Sequence, residues 1–290
     1  MNESEASHNG SRDGSSDGTN HGIHNGSAKA VVFDEVSLRF DELVVLDGLC
    51  FELEHGATKA LLGVAGSGKT TILKLTLGLL RPDRGRIFVQ GQEVTAMPER
   101  ELFELRRQLG MVFQESALFD SLTVEDNVAF RLNEEKVPED EIERRVLEAL
   151  RFVEMEQTLT LFPAELSGGM RRRVAIARAM ISNPAVLLYD SPTAGLDPVT
   201  STTIVELLIK QRDVYKSSAL LVSHRLQDAF TMATHRFVHE QNRMIMVPPG
   251  EAWDSKTSFL VLKDGKKFFE GDAAELANSD DEYIREYLSL

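Results

Sequence analysis

Hydrophobic and polar positions change rhythm several times along this chain. Residues 1–30, MNESEASHNGSRDGSSDGTNHGIHNGSAKA, offer Gly, Ser, Asn, Asp and His with almost nothing to bury, which predicts a disordered polar tail. From Ala30 the pattern turns strand-like. AVVFDEVSLRF (30–40) is followed by a second extended stretch, VVLDGLCFELEHG (44–56), closed by Gly56. TKALLGV (58–64) is a short apolar strand running into a glycine-rich turn. TTILKLTLGLL (70–80) then places Ile72, Leu73, Leu75, Thr76, Leu79 and Leu80 at helical spacing and stops before Pro82. GRIFVQG (85–91) is a further strand between glycines.

Beyond residue 109 the pattern alternates. LGMVFQESALF (109–119) reads as a strand leading to a loop, followed by VEDNVAFRL (124–132). EDEIERRVLEALRFV (139–153) is an amphipathic helix with Ile142, Val146, Leu150 and Val153 on one stripe. GGMRRRVAIARAMISN (168–183) is another helix, and VLLYDSPTAGLDP (186–198) opens on a buried strand tipped by Asp190. A helix from about 199 to 212, the strand SALLVSH (218–224) and the helix RLQDAFTMA (225–233) follow. Strands alternating with helices predict an α/β fold with a mainly parallel sheet and a helical insert over 115–180. Residues 241–258, QNRMIMVPPGEAWDSKTS, read as a long hairpin loop.

Composition narrows the classes. At 290 residues and 42% apolar, the chain is long enough for one large domain or two modest ones. A formal charge of −14 argues against nucleic acid as the main partner, because backbone binding needs a concentrated positive face. No apolar run approaches the ~20 residues of a membrane span, so a membrane role would be peripheral or through a partner. The start lacks the apolar stretch of a secretory signal. Cys50 stands alone, which excludes an internal disulfide framework and fits a reducing compartment. His8, His21 and His24 are irregularly spaced in the tail and do not make a metal site.

The chemistry begins at GVAGSGKTT, residues 63–71, which matches the Walker A phosphate loop. Gly63, Val64, Ala65, Gly66, Ser67 and Gly68 form the turn. Without Cβ atoms at Gly66 and Gly68, backbone N–H groups can face phosphate oxygens. Lys69 supplies a point charge to the terminal phosphates, Thr70 a hydroxyl for magnesium, and the helix opening near Thr70 and Thr71 its free N–H groups. A dinucleotide loop would instead read G-x-G-x-x-G with an acid ~20 residues on; Asp83, in the turn RPDRG, is a turn residue. Asp190, at a strand tip, can hold a magnesium-bound water. LSGGM (166–170) sets Ser167, Gly168 and Gly169 at a helix start, a second anion cradle that one nucleotide does not need. It is explained if two chains each close over the other's nucleotide.

With these motifs in this order, nearly all of residues 31–290 resembles the ATP-binding subunits of ABC transporters. The resemblance implies a P-loop ATPase core with an antiparallel β subdomain and an inserted helical subdomain, using ATP and Mg2+. It implies that Phe40 stacks on adenine, that Gln114 touches magnesium and relays to a membrane subunit, and that residues 166–170 act in trans across a head-to-tail dimer. Asp190 would end Walker B, Asp197 would be the D-loop aspartate and His224 the switch histidine near the γ-phosphate. Residues 113–130, FQESALFDSLTVEDNVAF, and the ending 275–290 further resemble the lipid-transport subfamily that maintains outer-membrane asymmetry or works with Mce-type proteins. That resemblance implies a second copy of this chain, multi-span permease subunits and a lipid-binding Mce-type protein as partners, with no nucleic acid, at the cytoplasmic face of a bacterial inner membrane. Residues 31–290 would form one ATP-binding domain after the 1–30 tail, with the helical subdomain at about 115–180, a loop insertion at about 241–258 and a terminal segment at 270–290; the tail and the loop are departures from the resemblance.

One position departs from the resemblance. Most of the family carries a catalytic glutamate after the Walker B aspartate, and here it is Ser191. A positioned general base is worth roughly 10²–10⁴-fold in rate, while nucleotide binding through Lys69, Thr70 and Asp190 does not depend on it. Three readings stay open: His224 takes more of the water-orienting role, Glu115 moves in, or the protein binds ATP and hydrolyses it slowly. A small-solute importer is an alternative to lipid transport. A soluble ABC-type regulator is a further one, although such proteins usually carry two nucleotide domains, and no heptad run of a DNA-repair ATPase is present.

Overall fold

The computed structural model describes residues 29–247 and 256–289. The predicted tail lies outside the described residues except for Lys29 and Ala30, which are not tail but the first residues of strand β1 (Lys29–Phe40). β1 pairs antiparallel with β2 (Leu43–Glu54) and with β4 (Arg84–Val89), and the two-residue β5 (Gln92–Glu93) completes a sheet ordered β2-β1-β4-β5. Its inner face carries Val31, Phe33, Val36, Leu46, Leu49, Phe51 and Ile87, all buried, with Phe33 and Phe51 stacked at 4.6 Å. Along Leu49–Glu54 of β2 buried residues alternate with more exposed ones, the signature of a sheet with one wet face.

A second sheet, six-stranded, has the order β12-β11-β3-β8-β7-β6. Its members are β3 (Thr58–Leu62), β6 (Leu109–Val112), β7 (Val186–Asp190), β8 (Ser218–Val222), β11 (Thr257–Lys263) and β12 (Lys266–Gly271). All neighbours are parallel except the β11–β12 hairpin. β3, β7 and β8 are buried along their whole length, as strands covered on both faces must be. The fold is therefore α/β, with a mixed but mostly parallel sheet, a separate antiparallel sheet and inserted helices.

Helix α1 (Lys69–Thr76) follows β3, α2 (Glu99–Arg106) precedes β6, and α6 (Pro198–Tyr215) and α7 (Leu226–Thr234) flank β8. Between β6 and β7 lie α3 (Val124–Glu134), α4 (Glu139–Phe152) and α5 (Gly168–Met180). The stripe of Ile142, Val146 and Leu150 packs with Val128, Leu132 and Val174 in one cluster that continues onto β7. Two short helices, α8 (Ala273–Ala277) and α9 (Glu282–Ser289), cover β3 and β11 through Leu276, Ile284 and Tyr287.

Two expectations are corrected. The helix anticipated over 70–80 ends at Thr76, because Gly78 turns left-handed at φ 63°, and Leu79 is left exposed. The segment 241–258 is not one loop: β10 (Arg243–Met246) pairs with β9 (His235–Val238), and β11 starts at Thr257, with 248–255 outside the described residues. That hairpin is pinned to α6, where Asp213 accepts the Phe237 N–H at 2.7 Å and Arg212 donates to the His235 carbonyl at 2.8 Å.

Candidate functional site

Parallel pairing in register is what assembles the site. Asp190 on β7 lies level with Val222 on β8, and Val222 with Leu61 on β3. The loops leaving β3, β8, β7 and β6 therefore emerge along one edge of the sheet, in the position where open α/β sheets bind ligands. These loops carry Gly63 to Thr71, His224, Ser191 and Gln114, in that spatial order.

The loop after β3 is built for anions. Gly68 sits at φ 94° as the residue before α1, and a Cβ there would meet the Leu46 side chain at 2.9 Å and the Val45 carbonyl at 3.0 Å. Only glycine fits that turn. Lys69 opens α1 and is 4% exposed. Its ammonium donates to the Gly63 and Val64 carbonyls, each at 2.8 Å, and to the Ser67 hydroxyl at 3.2 Å. Burial pushes the Lys69 amine down from its usual range, and the Asp190 charge opposes that shift. Val64, Ala65 and Gly66 are exposed along the loop, and Phe40 stands exposed at the end of β1.

The Thr70 hydroxyl donates to the Asp190 carboxylate at 3.1 Å. A hydroxyl and a carboxylate oxygen side by side are the hard-oxygen pair that magnesium takes together with substrate phosphates. The residues thus fit Mg2+, which Thr70 and Asp190 would hold. Gln114 is exposed on the loop after β6, beside the strand that bears Asp190.

Ser191 follows Asp190 with φ 48° and is 3% exposed. Its N–H donates to the Val222 carbonyl at 2.9 Å, while its hydroxyl is buried without a hydrogen-bond partner. His224 is exposed at the edge of a cavity it shares with Gly63, Val64 and Ala65. Burial, and then the Lys69 charge, push its imidazole below the usual range, against the pull of Asp190. Glu115 is exposed and exerts its charge on Arg172.

Ser167 caps α5, its hydroxyl accepting the Met170 N–H at 3.2 Å. Gly168 and Gly169 follow, and their closest neighbours are Leu196 and Thr200 rather than the phosphate loop. Asp197 caps α6 by accepting the Val199 and Thr200 N–H groups at 3.1 and 3.0 Å, and these contacts, led by the Thr200 hydroxyl, hold its carboxyl below the usual range. Within one chain, then, Lys69, Thr70, Asp190, Ser191 and His224 share one edge of the sheet, while residues 167–169 and Asp197 form a second cluster.

Two connecting residues escaped sequence reading. Arg172, in the RRR run of α5, is buried and donates to the Phe113 carbonyl and, at 3.4 Å, to the Ala194 carbonyl. It ties α5 to the loops on which Gln114 and Asp197 sit. Asp228 on α7 accepts the Thr193 hydroxyl and, at 3.4 Å, the Ser223 hydroxyl, with Arg225 at 3.9 Å. It joins the loop after Asp190 to the residue before His224. No spacing rule announces either, since each exists only when distant loops meet.

Comparison with known proteins agrees with this geometry. A family profile described as "ABC transporter" matches residues 46–194. The chain is 36% identical over 203 residues to the intermembrane phospholipid transport system ATP-binding protein MlaF of Haemophilus influenzae, a match covering 70% of this chain and 77% of that protein. It is 38% identical over 200 residues to the methionine import ATP-binding protein MetN 2 of Bacillus cereus, covering 69% of this chain and 59% of that one. A solved structure of the ATP-binding cassette MJ0796, dimeric in a post-hydrolysis state with ADP and Pi, superposes with a TM-score of 0.69 at 28% identity, covering 83% of this chain and 98% of that one. Phosphate loop, strand-tip carboxylate and family match converge: the chain belongs to the ABC transporter family, as one of its ATP-binding and ATP-hydrolysing members.

Proposed function

We propose that this chain is the energy-supplying ATPase subunit of a membrane transport complex, working as a head-to-tail dimer of two copies. The observation that carries the reading is the pairing of Thr70 with Asp190 beside the buried Lys69. Phe40 would take the adenine, the N–H groups of residues 63–71 and Lys69 the phosphates, and Thr70, Asp190 and Gln114 the magnesium. Bound there, magnesium would neutralise phosphate charge. Residues 167–169 and Asp197 cluster away from the phosphate loop of their own chain, and in a dimer they would close over the partner's nucleotide. The dimeric state of MJ0796 supports that arrangement.

Water activation is the distinctive step. The Ser191 hydroxyl, buried and unpaired, would hold the attacking water, because a buried polar group without a partner costs free energy until it finds one. It carries no charge to take the proton. His224, kept neutral by burial and by Lys69, would accept a hydrogen bond from that water, and hydrolysis proceeds at a modest rate.

The site for membrane partners would be the loop after β6. Arg178 donates to the Ser116 and Ala117 carbonyls at 2.9 and 2.8 Å, and the Asn127 amide accepts the Phe119 N–H at 2.8 Å, so the loop is tied to α5 and α3. Phe113, Phe119 and Phe130 remain exposed around a cavity there. Among the described residues no helix is long and apolar enough to cross a membrane, so coupling would run through this surface to permease subunits.

For the substrate, a small-solute importer draws the broader support. MetN proteins of several Bacillus strains match at 37–38% identity, although the match spans only 59% of their length. The phospholipid reading, with an Mce-type partner, rests on MlaF. Purifying the chain with its permease tests both levels. Magnesium-dependent phosphate release is expected, and its absence overturns the ATPase reading. Co-purified phospholipid selects the lipid reading, and stimulation of ATP hydrolysis by a small solute selects the importer.

A further inference from the structure

The last helix of the chain reaches the first residue of the phosphate loop. The Tyr287 hydroxyl accepts the Gly63 N–H at 3.0 Å, across 224 residues of sequence. Gly63 is held on its other side too, since its carbonyl accepts from the Lys69 ammonium at 2.8 Å. Gly63 has φ 141°, and a Cβ there would meet the Leu262 carbonyl at 2.6 Å and the Ser67 hydroxyl at 2.8 Å. This backbone is therefore wedged between β11, the loop and α9.

The anchor behind Tyr287 is firm. Tyr287 is 9% exposed, and it packs with Ala60, Leu62, Phe259 and Ile284 in the cluster that also holds Ala229 of α7. Burial raises the Tyr287 phenol above its usual range, so it stays neutral and keeps its lone pairs for the Gly63 N–H. Tyr283, one turn earlier, stacks on it at 6.4 Å between ring centroids, but its own hydroxyl is buried with no partner. Two tyrosines on one helix thus share packing, and only one of them has a polar contact to the loop.

We propose that Tyr287 is a positioning residue for nucleotide binding: through Gly63 it fixes the start of the phosphate loop and the resting place of the Lys69 ammonium. The proposal rests on the ATPase reading of the site. Removing the hydroxyl frees the Gly63 N–H in a buried position, and the first turn of the loop loses its outer support. The phosphates would then have to order a loop that is already ordered in the native chain.

The experiment compares the full chain with Tyr287→Phe and Tyr283→Phe, titrating each with MgATP by calorimetry and recording thermal melting. Both variants keep their rings. Tyr287→Phe is expected to weaken MgATP binding by between ~3-fold and ~10-fold, as loss of a partner to a buried N–H implies. Once saturated it should keep a kcat near native, and Tyr283→Phe should bind as the native chain does. Native affinity in Tyr287→Phe overturns the proposal, and so does equal weakening in both variants, which would mean that α9 acts only through packing. No MgATP binding by the native chain overturns the ATPase reading, and the proposal with it.

Discussion

The Thr70 hydroxyl lies 3.1 Å from the Asp190 carboxylate although 120 residues separate them. One sits at the start of the helix after β3 and the other at the tip of β7, with β8 between the two strands. In the proposed site the pair would form the magnesium end and Lys69 the phosphate end. Thr70→Val should remove the hydroxyl with little change of shape. The expected result is a loss of magnesium dependence in nucleotide binding, with affinity down by about tenfold or more, as one lost charge-assisted contact implies. Titration with ATP in the presence of Mg2+ or of EDTA checks it.

Ser191 supplies the second prediction. Ser191→Glu puts a carboxylate where the buried hydroxyl has no partner. If water activation limits turnover, steady-state hydrolysis should rise by about 10²-fold, the low end of what a positioned base contributes. ATP affinity should stay near native. An unchanged rate would place the limit at closure or product release.

His224 gives a pH signature. Its pKa is lowered from 6.5, mainly by burial, so the neutral ring dominates at pH 7. Hydrolysis should be flat above about pH 6.5 and fall as acid protonates the ring and removes its acceptor. The sign for stability is the same: the unfolded chain takes up the proton more readily, so the contribution of His224 is lost as pH drops through and below 6.5. In His224→Ala the acid limb should flatten, and a limb that persists assigns it to another group.

Asp228 runs the other way. Burial raises its carboxyl above the usual 3.8, against the hydrogen bond from Thr193. The folded chain holds that proton more tightly than the unfolded one. Its contribution to stability is therefore fully present below 3.8 and is lost as pH rises from there through the raised folded-state value. Asp228→Asn should flatten that part of the stability profile in urea melts at pH 4 to 7. It should also loosen the tie between residues 193 and 223, read as a lower kcat.

Two neighbouring glycines should respond differently. A Cβ on Gly169 would meet the Thr200 methyl at 2.4 Å, and Thr200 cannot swing aside freely because Asp197 holds its hydroxyl at 2.5 Å. On Gly168 the nearest atom is a Leu196 methyl at 3.4 Å. Gly169→Ala should cost about 1–3 kcal/mol of stability in the single chain, with Gly168→Ala near native. Chemical denaturation of both variants decides it.

Residue types at fixed spacing determined what this protein handles. Gly63, Gly66, Gly68, Lys69 and Thr70 carry their chemistry within nine residues of chain, so local order alone brings phosphate donors and a magnesium hydroxyl together. Alternating strands and helices likewise announced the α/β core, since a buried parallel strand must be apolar throughout. Where the pattern was silent, the cause was physical. Gly78 ends α1 through its left-handed backbone although Leu79 and Leu80 continue the helical spacing. The β9–β10 hairpin is held by Arg212 and Asp213 on another element, and half-buried short strands leave a weak pattern. Arg172, Asp228 and Tyr287 each act through one or two hydrogen bonds that reach loops far away in sequence. A contact of that kind has no periodicity and no motif, because it depends on the register of four parallel strands and the packing of α5, α7 and α9 upon them. The local sequence thus determined the chemistry of the phosphate loop, and only the folded sheet decided which residues hold that loop in place.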